Sequence, residues 1–254
     1  MPLRVGFDLD GTVADMYVAL HREALKLFGD EVLRKAARKT PQPSVAKPTD
    51  GTQPSADDAD TAAESVEEQT ADQAMQELHL TGRQQMQLWD HVKKIENFWS
   101  TLPELEPGII ARIAKTALER KWEVIFLTTR PSTAGEIVQL QSQRWLEAHG
   151  FQYPSVYVVQ RSRGRIADAL ALDAFVDDRP ENCLDIAVES KAKVILVWHG
   201  NLKDVPAGAK RLGVRPVLTI SEAMTLLEQL DDVRNQPSLM RSIRKVFGRD
   251  ASGG

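Results

Sequence analysis

Apolar residues fall along this chain in short runs and in patches of helical period. Leu3 to Leu9 is brief, β-prone and mostly apolar, and it ends at an Asp-Gly pair, which predicts a buried strand followed by a turn. Asp15 to Phe28 carries Val18, Leu20, Leu25, Leu27 and Phe28 among charges and stops at Gly29, as a helix does. Met86, Trp89, Val92, Ile95 and Phe98 then recur at intervals of three and four, which predicts a helix over Thr81 to Asn97. Beyond Phe98-Trp99 the two patterns alternate regularly. Pro107-Gly108 opens a helix to Lys121, Trp122 to Leu127 reads as a strand, and a helix is expected from about Thr133 to His149. Val156 to Val159 is a strand, Arg165 to Leu172 a short helix, Ala174 to Val176 a strand and Pro180 to Ser190 a helix. Val194 to Val197 is a further strand, and Ser221 caps a last helix to about Leu230.

Strands separated by helices imply a parallel sheet covered on both faces by right-handed crossovers, a doubly wound three-layer α/β sandwich. One stretch departs from the pattern. From about Thr40 to Gln73 the chain turns to Pro, Ser, Thr, Ala, Asp and Glu, too poor in large apolar side chains to offset its ordering entropy, so disorder is expected there.

Composition narrows the function. The 254 residues carry a formal charge of -4, which provides no electrostatic footprint for tracking a nucleic-acid backbone, so no duplex partner is expected. Cys183 is the only cysteine, which rules out an internal disulfide and fits a reducing cytoplasm. Asp8 interrupts the N-terminal apolar run before a signal-peptide core forms, and no stretch approaches the roughly 18 apolar residues of a membrane span. A cytoplasmic location away from membranes is the expectation. His21, His79, His91, His149 and His199 are scattered without ligand spacing. Met240 to Phe247 is basic and mildly amphipathic, and reads as a frayed terminal helix.

Ligands of open α/β sheets bind at the carboxyl ends of the strands. Three such ends here carry distinctive polar residues: Asp8 and Asp10, then Thr128-Thr129-Arg130, then Asp177-Asp178-Arg179. Carboxylates gathered in one crevice repel unless a cation joins them, and Mg2+ suits few carboxylates plus a substrate phosphate. Alternate residues of an extended strand share a face, so Asp8 and Asp10 point roughly the same way. One can attack phosphorus while the other protonates the departing oxygen and later activates water. Gly11 permits a tight turn whose backbone N–H groups can cradle phosphate oxygens.

Asp8-Leu9-Asp10-Gly11-Thr12 resembles the first motif of the haloacid dehalogenase superfamily, Thr128 its second and Asp177-Asp178 its fourth. The resemblance implies a Rossmann-like core over 1–14 and 101–232, a helical cap inserted over 15–100, and a tail over 233–254. It implies a phosphatase in which Asp8 is nucleophile and metal ligand, and Asp10 is general acid/base with its backbone carbonyl on the metal. Thr128 would hold the phosphoryl group with Thr129 beside it, and Asp177, Asp178 or both would anchor Mg2+. The lysine of the family's third motif is missing from Gln160-Arg161-Ser162-Arg163-Gly164-Arg165, so Arg163 or Arg165 must supply its charge. A phosphoryl-binding protein without turnover is the alternative that this departure leaves open.

Asn97-Phe98-Trp99, Leu127-Thr128-Thr129-Arg130-Pro131 and Val176-Asp177-Asp178-Arg179-Pro180 are similar to 5'-nucleotidases acting on deoxyribonucleotides. Sugar phosphates or nucleic-acid 3' ends remain alternative substrates. Arg130 would either meet a second group of the substrate or pair with a carboxylate, and Phe98 and Trp99 read as core in preference to a base-stacking platform. Cys183 reads as a small buried side chain on a helix.

Overall fold

The computed structural model describes residues 2–30, 33 and 78–235. The expected disorder at 40–73 and the basic stretch Met240 to Phe247 lie outside the described residues. The chain opens with β1 (Arg4–Asp8), followed by α1 (Met16–Phe28) and α2 (Gly82–Val92). The remainder runs α3 (Ile109–Arg120), β2 (Glu123–Thr128), α4 (Val138–Ala148), β3 (Ser155–Val158), α5 (Arg163–Ala169), β4 (Ala174–Asp177), α6 (Pro180–Glu189) and β5 (Lys193–Val197). It closes with α7 (Ala207–Arg211), β6 (Arg215–Val217) and α8 (Ile220–Asn235).

All strand pairs are parallel, in the order β3-β2-β1-β4-β5-β6, the doubly wound arrangement that the alternation of elements implies. The chain builds outwards from β1 through β2 to β3, then crosses back to lay β4 on the other side of β1. Alternate residues of each strand feed two apolar layers. Val5, Phe7, Phe126, Val176 and Ile195 join residues of α3, α4 and α8 on one face. Leu127, Phe175, Val194 and Leu196 join residues of α5, α6 and α7 on the other. Gly6 is required in β1 because a Cβ there would fall on the Phe175 ring. The three-layer sandwich is thus held by interior strands that are apolar on both sides, which is why they read as continuous apolar runs.

α1 and α2 pack on each other beyond the end of β1, and Ala19, Leu20, Leu88 and Val92 continue the first apolar layer upward. Asp15 caps α1 by accepting from the Val18 N–H at 2.9 Å, and Thr81 with Gln84 forms a capping box on α2. Glu23, buried on α1, binds Lys26 at 2.8 Å and reaches His91 of α2 at 3.1 Å.

Several boundaries differ from the sequence expectation. α2 ends at Val92 rather than Asn97, and α8 runs Ile220–Asn235, so Ser221 lies inside it and Thr219 takes the capping place by accepting from the Glu222 N–H at 3.1 Å. The helix expected from Thr133 starts at Val138, because side chains capture the preceding loop: Asn97 Oδ1 accepts from the Glu136 N–H at 2.8 Å and Gln141 Nε2 donates to the Glu136 carbonyl at 2.5 Å. α5 begins at Arg163 rather than Arg165, capped by Ser162. β6 and α7 were not anticipated; three and five residues are too few to carry a period. Among the described residues no helix is long and apolar enough to cross a membrane.

Candidate active site

The topological switch point sets the site. β1 and β4 are neighbours whose chains diverge, and their carboxyl ends carry Asp8 and Asp177 side by side in the crevice. Asp8, Asp177 and Asp178 are all buried and can each offer a carboxylate oxygen within 4.8 Å of the others.

The cation among these acids is Arg163. Its guanidinium donates to Asp8 Oδ1 at 2.5 Å, to Asp177 Oδ2 at 3.0 Å and to the Thr129 hydroxyl at 3.3 Å. α5 delivers it because that helix lies almost against α6. A Cβ at Gly164 would collide with the Asp185 carbonyl, while the Asp185 side chain accepts from the Gly164 N–H at 2.8 Å and from the Ser162 hydroxyl at 3.0 Å. Arg165, on the same helix, is exposed and makes no side-chain contact with the acids among the described residues, so of the two arginines considered it is Arg163 that stands beside Asp8.

Asp10 faces a different partner. Arg130 donates to both of its oxygens, from Nε and Nη2, at 2.7 Å each, and the Thr128 hydroxyl adds a bond at 3.3 Å. Arg130 is itself fixed by Ser142 at 2.8 Å and lies 4.9 Å from the ring centroid of Trp99. Arg130 therefore serves a carboxylate of its own chain rather than an open subsite. The Asp10 carboxylate lies outside the trio that can share a cation. Phe98 and Trp99 are core, with Trp99 Nε1 donating to the Pro131 carbonyl at 2.9 Å.

Burial and crowding raise the acids. Burial pushes the Asp8 carboxyl up to about 7 despite the opposing Arg163, with Asp177 and Asp10 adding to the shift. Asp177 is raised by burial against the pull of Arg163, and Asp178 well above the usual carboxylate range by burial and by Asp177 and Asp8. Arg163 is raised: burial works against its charge, but Asp8 and Asp177 outweigh it.

The residues fit a divalent metal. Once ionised, the three carboxylates would outnumber the one guanidinium by two negative charges in a buried place, which a divalent ion would offset, and oxygen donors alone make up the set. Asp8, Asp177 and Asp178 would hold the ion.

Several neighbours of the site carried little signal in sequence. The Thr12 hydroxyl donates to Asp178 Oδ1 at 3.0 Å, and Asn182, one turn into α6, donates to both oxygens of Asp177 at 3.1 Å. Thr12 belonged to the first motif, and Asn182 could have been found by its place five residues after Asp177. His199, beyond β5, has its Nε2 2.6 Å from the Gly11 carbonyl, and no local pattern announces it. Gly11, at φ 80°, has no room for a Cβ because the Asp178 carboxylate fills the space.

The open, doubly wound α/β sheet with acids at its switch point has counterparts among solved structures. A dehalogenase solved with an intermediate complex matches with a TM-score of 0.50 at 14% identity, over 89% of this chain and 96% of the other. A haloacid dehalogenase-like hydrolase from Xanthomonas campestris matches with a TM-score of 0.46 at 15% identity, over 91% and 96% of the two chains. No family model and no curated protein matches the sequence. The chain has the haloacid dehalogenase-like fold.

Proposed function

We propose that this protein is a Mg2+-dependent phosphomonoester hydrolase that works through an aspartyl phosphate on Asp8, with 5'-nucleotides, including deoxyribonucleotides, as its substrates. The observation that carries the proposal is the buried cluster of Asp8, Asp177 and Asp178 around Arg163 at the switch point. An Asp8 oxygen attacks phosphorus and the ester P–O bond breaks, with Asp10 giving its proton to the departing oxygen. Water then attacks phosphorus, Asp10 takes its proton, the P–O bond to Asp8 breaks, and inorganic phosphate leaves. Arg163 and the Thr128 and Thr129 hydroxyls stand where charge on the phosphoryl oxygens develops, held before the reaction begins. Mg2+ would neutralise the carboxylates and the phosphoryl oxygens when bound by Asp8, Asp177 and Asp178.

The nucleotide preference rests on the likeness of the strand-end motifs, and sugar phosphates or nucleic-acid 3' ends are the competing substrates. A second reading, phosphoryl binding without turnover, is favoured by one observation: the Arg130 fork occupies both oxygens of Asp10, the group that has to move protons. Phosphate release from nucleoside monophosphates, sugar phosphates, a 3'-phosphorylated oligonucleotide and an aryl phosphate decides between them. The hydrolase reading expects release that EDTA and Asp8→Asn both abolish. Tight phosphate binding with no release from any substrate would establish the second reading.

A further inference from the structure

Arg130 and Arg163 are each paired with buried carboxylates, whereas Arg179, the residue after Asp178, is not. Its Nε is buried without a hydrogen-bond partner, and the side chain takes part in no ion pair among the described residues. The residue is half-buried and its backbone is pinned, with its N–H donating to Asp177 Oδ1 at 2.9 Å and Pro180 opening α6 directly after it. It lies close enough to Asp177 for its charge to oppose the raising of that carboxyl. β4 and β5 pair with Asp177 opposite Leu196, so Arg179 and His199 both follow the carboxyl ends of these neighbouring strands, where His199 reaches the Gly11 carbonyl.

Buried donors in folded proteins have acceptors, and one left open beside a reactive cluster calls for an acceptor that arrives with a ligand. A neutral carbonyl would satisfy the N–H but leave the guanidinium charge without a counter-ion. A carboxylate or phosphate satisfies both, because two of its oxygens match the guanidinium fork. The phosphoryl group at Asp8 already has Arg163. With Arg163 beside Asp8 to meet the phosphoryl group, Arg179 is left to meet a different group on the same ligand.

We infer that Arg179 recognises a second anionic group, a carboxylate or a second phosphate, on the alcohol portion of the phosphomonoester substrate. The inference rests on the phosphoryl reading of the Asp8 site given above. It makes Arg179 a residue of specificity that favours phosphomonoesters carrying another negative charge, among nucleotides the 3',5'-bisphosphates over the plain 5'-monophosphates.

Equilibrium binding to the full-length Asp8→Asn variant, measured calorimetrically with Mg2+, tests this without requiring turnover. Two matched pairs serve as probes. 3-Phosphoglycerate differs from glycerol 3-phosphate by a carboxylate in place of a hydroxymethyl group, and adenosine 3',5'-bisphosphate differs from adenosine 5'-monophosphate by a phosphate. In at least one pair the anion-bearing member should bind about tenfold tighter, and adding Arg179→Gln should bring the ratio to within about twofold, with Arg179→Lys between. The pair that shows the ratio tells carboxylate from phosphate. Ratios near one in both pairs with Arg179 present, a ratio that survives Arg179→Gln, or equal weakening of both members would overturn the inference while leaving the phosphoryl reading intact. Failure of all four ligands to bind would overturn both.

Discussion

Arg163 is a single side chain on which two acids depend, and its removal would leave Asp8 and Asp177 buried and unpaired. Arg163→Met is expected to lower phosphate release by about 10²–10³, the usual cost of deleting one preorganised donor, with Arg163→Lys recovering part of the loss. Steady-state kinetics at saturating Mg2+ would measure it. The raised acids make a second prediction, about pH. Asp8 is lifted to about 7 in the folded chain, so between its unfolded value and 7 the native state holds protons that the unfolded state has released. Metal-free stability contributed by this cluster is therefore largest below pH 4 and declines as pH rises towards 7. A divalent ion binds the ionised acids and reverses that decline, so the rise in melting temperature on replacing EDTA by Mg2+ should be larger at pH 7.5 than at pH 5. Comparing the two conditions at each pH cancels groups remote from the cluster. A third expectation concerns Gly11: Gly11→Ala forces a side chain against Asp178 at a positive φ, and should weaken Mg2+ binding by at least about tenfold in a calorimetric titration.

At the scale of elements, the parts that sequence reveals are those whose burial is uniform. β1, β2, β4 and β5 are interior strands, apolar on both faces, and each stands out between polar turns. Because ligands gather at strand ends, the same strands also located Asp8, Thr128 and Asp177 in one crevice. Elements defined by tertiary contacts were not legible. β6, Arg-Pro-Val, is strand only because it lies along β5 at the sheet edge, and the 131–137 loop stays out of helix because Asn97 and Gln141 bind its backbone. The choice between Arg163 and Arg165 turned on where α5 begins, and Ser162 as its cap was the available signal. His199 had none, since it is joined to Gly11 across 188 positions of sequence. The close fit of β1 on β4 gives a prediction at this scale. Gly6→Ala would press a methyl group into the Phe175 ring and should cost about 1–3 kcal/mol in urea unfolding, without changing which residues line the crevice.

Taken as a whole molecule, the chain joins a sheet to a pair of helices above it through one continuous apolar layer, and the polar link between those helices is Glu23. Glu23→Ala removes the acceptor shared by Arg22, Lys26 and His91, and should destabilise the α1–α2 pair by about 1–2 kcal/mol. Hydrogen exchange should show faster opening in α1 and α2 than in the strands. The sheet order has a consequence for how the chain is made. β1 is synthesised first yet lies between β2 and β4, so its edges stay open until residues 123–128 and then 174–177 have emerged. The acids of the crevice thus meet only once residues 174–178 have joined β1. A ribosome stalled before Asp177 would carry a nascent chain with Asp8 in place, one edge of its apolar strand unpaired and the acid cluster incomplete. Such a chain presents an open strand edge that favours misassociation until β4 docks.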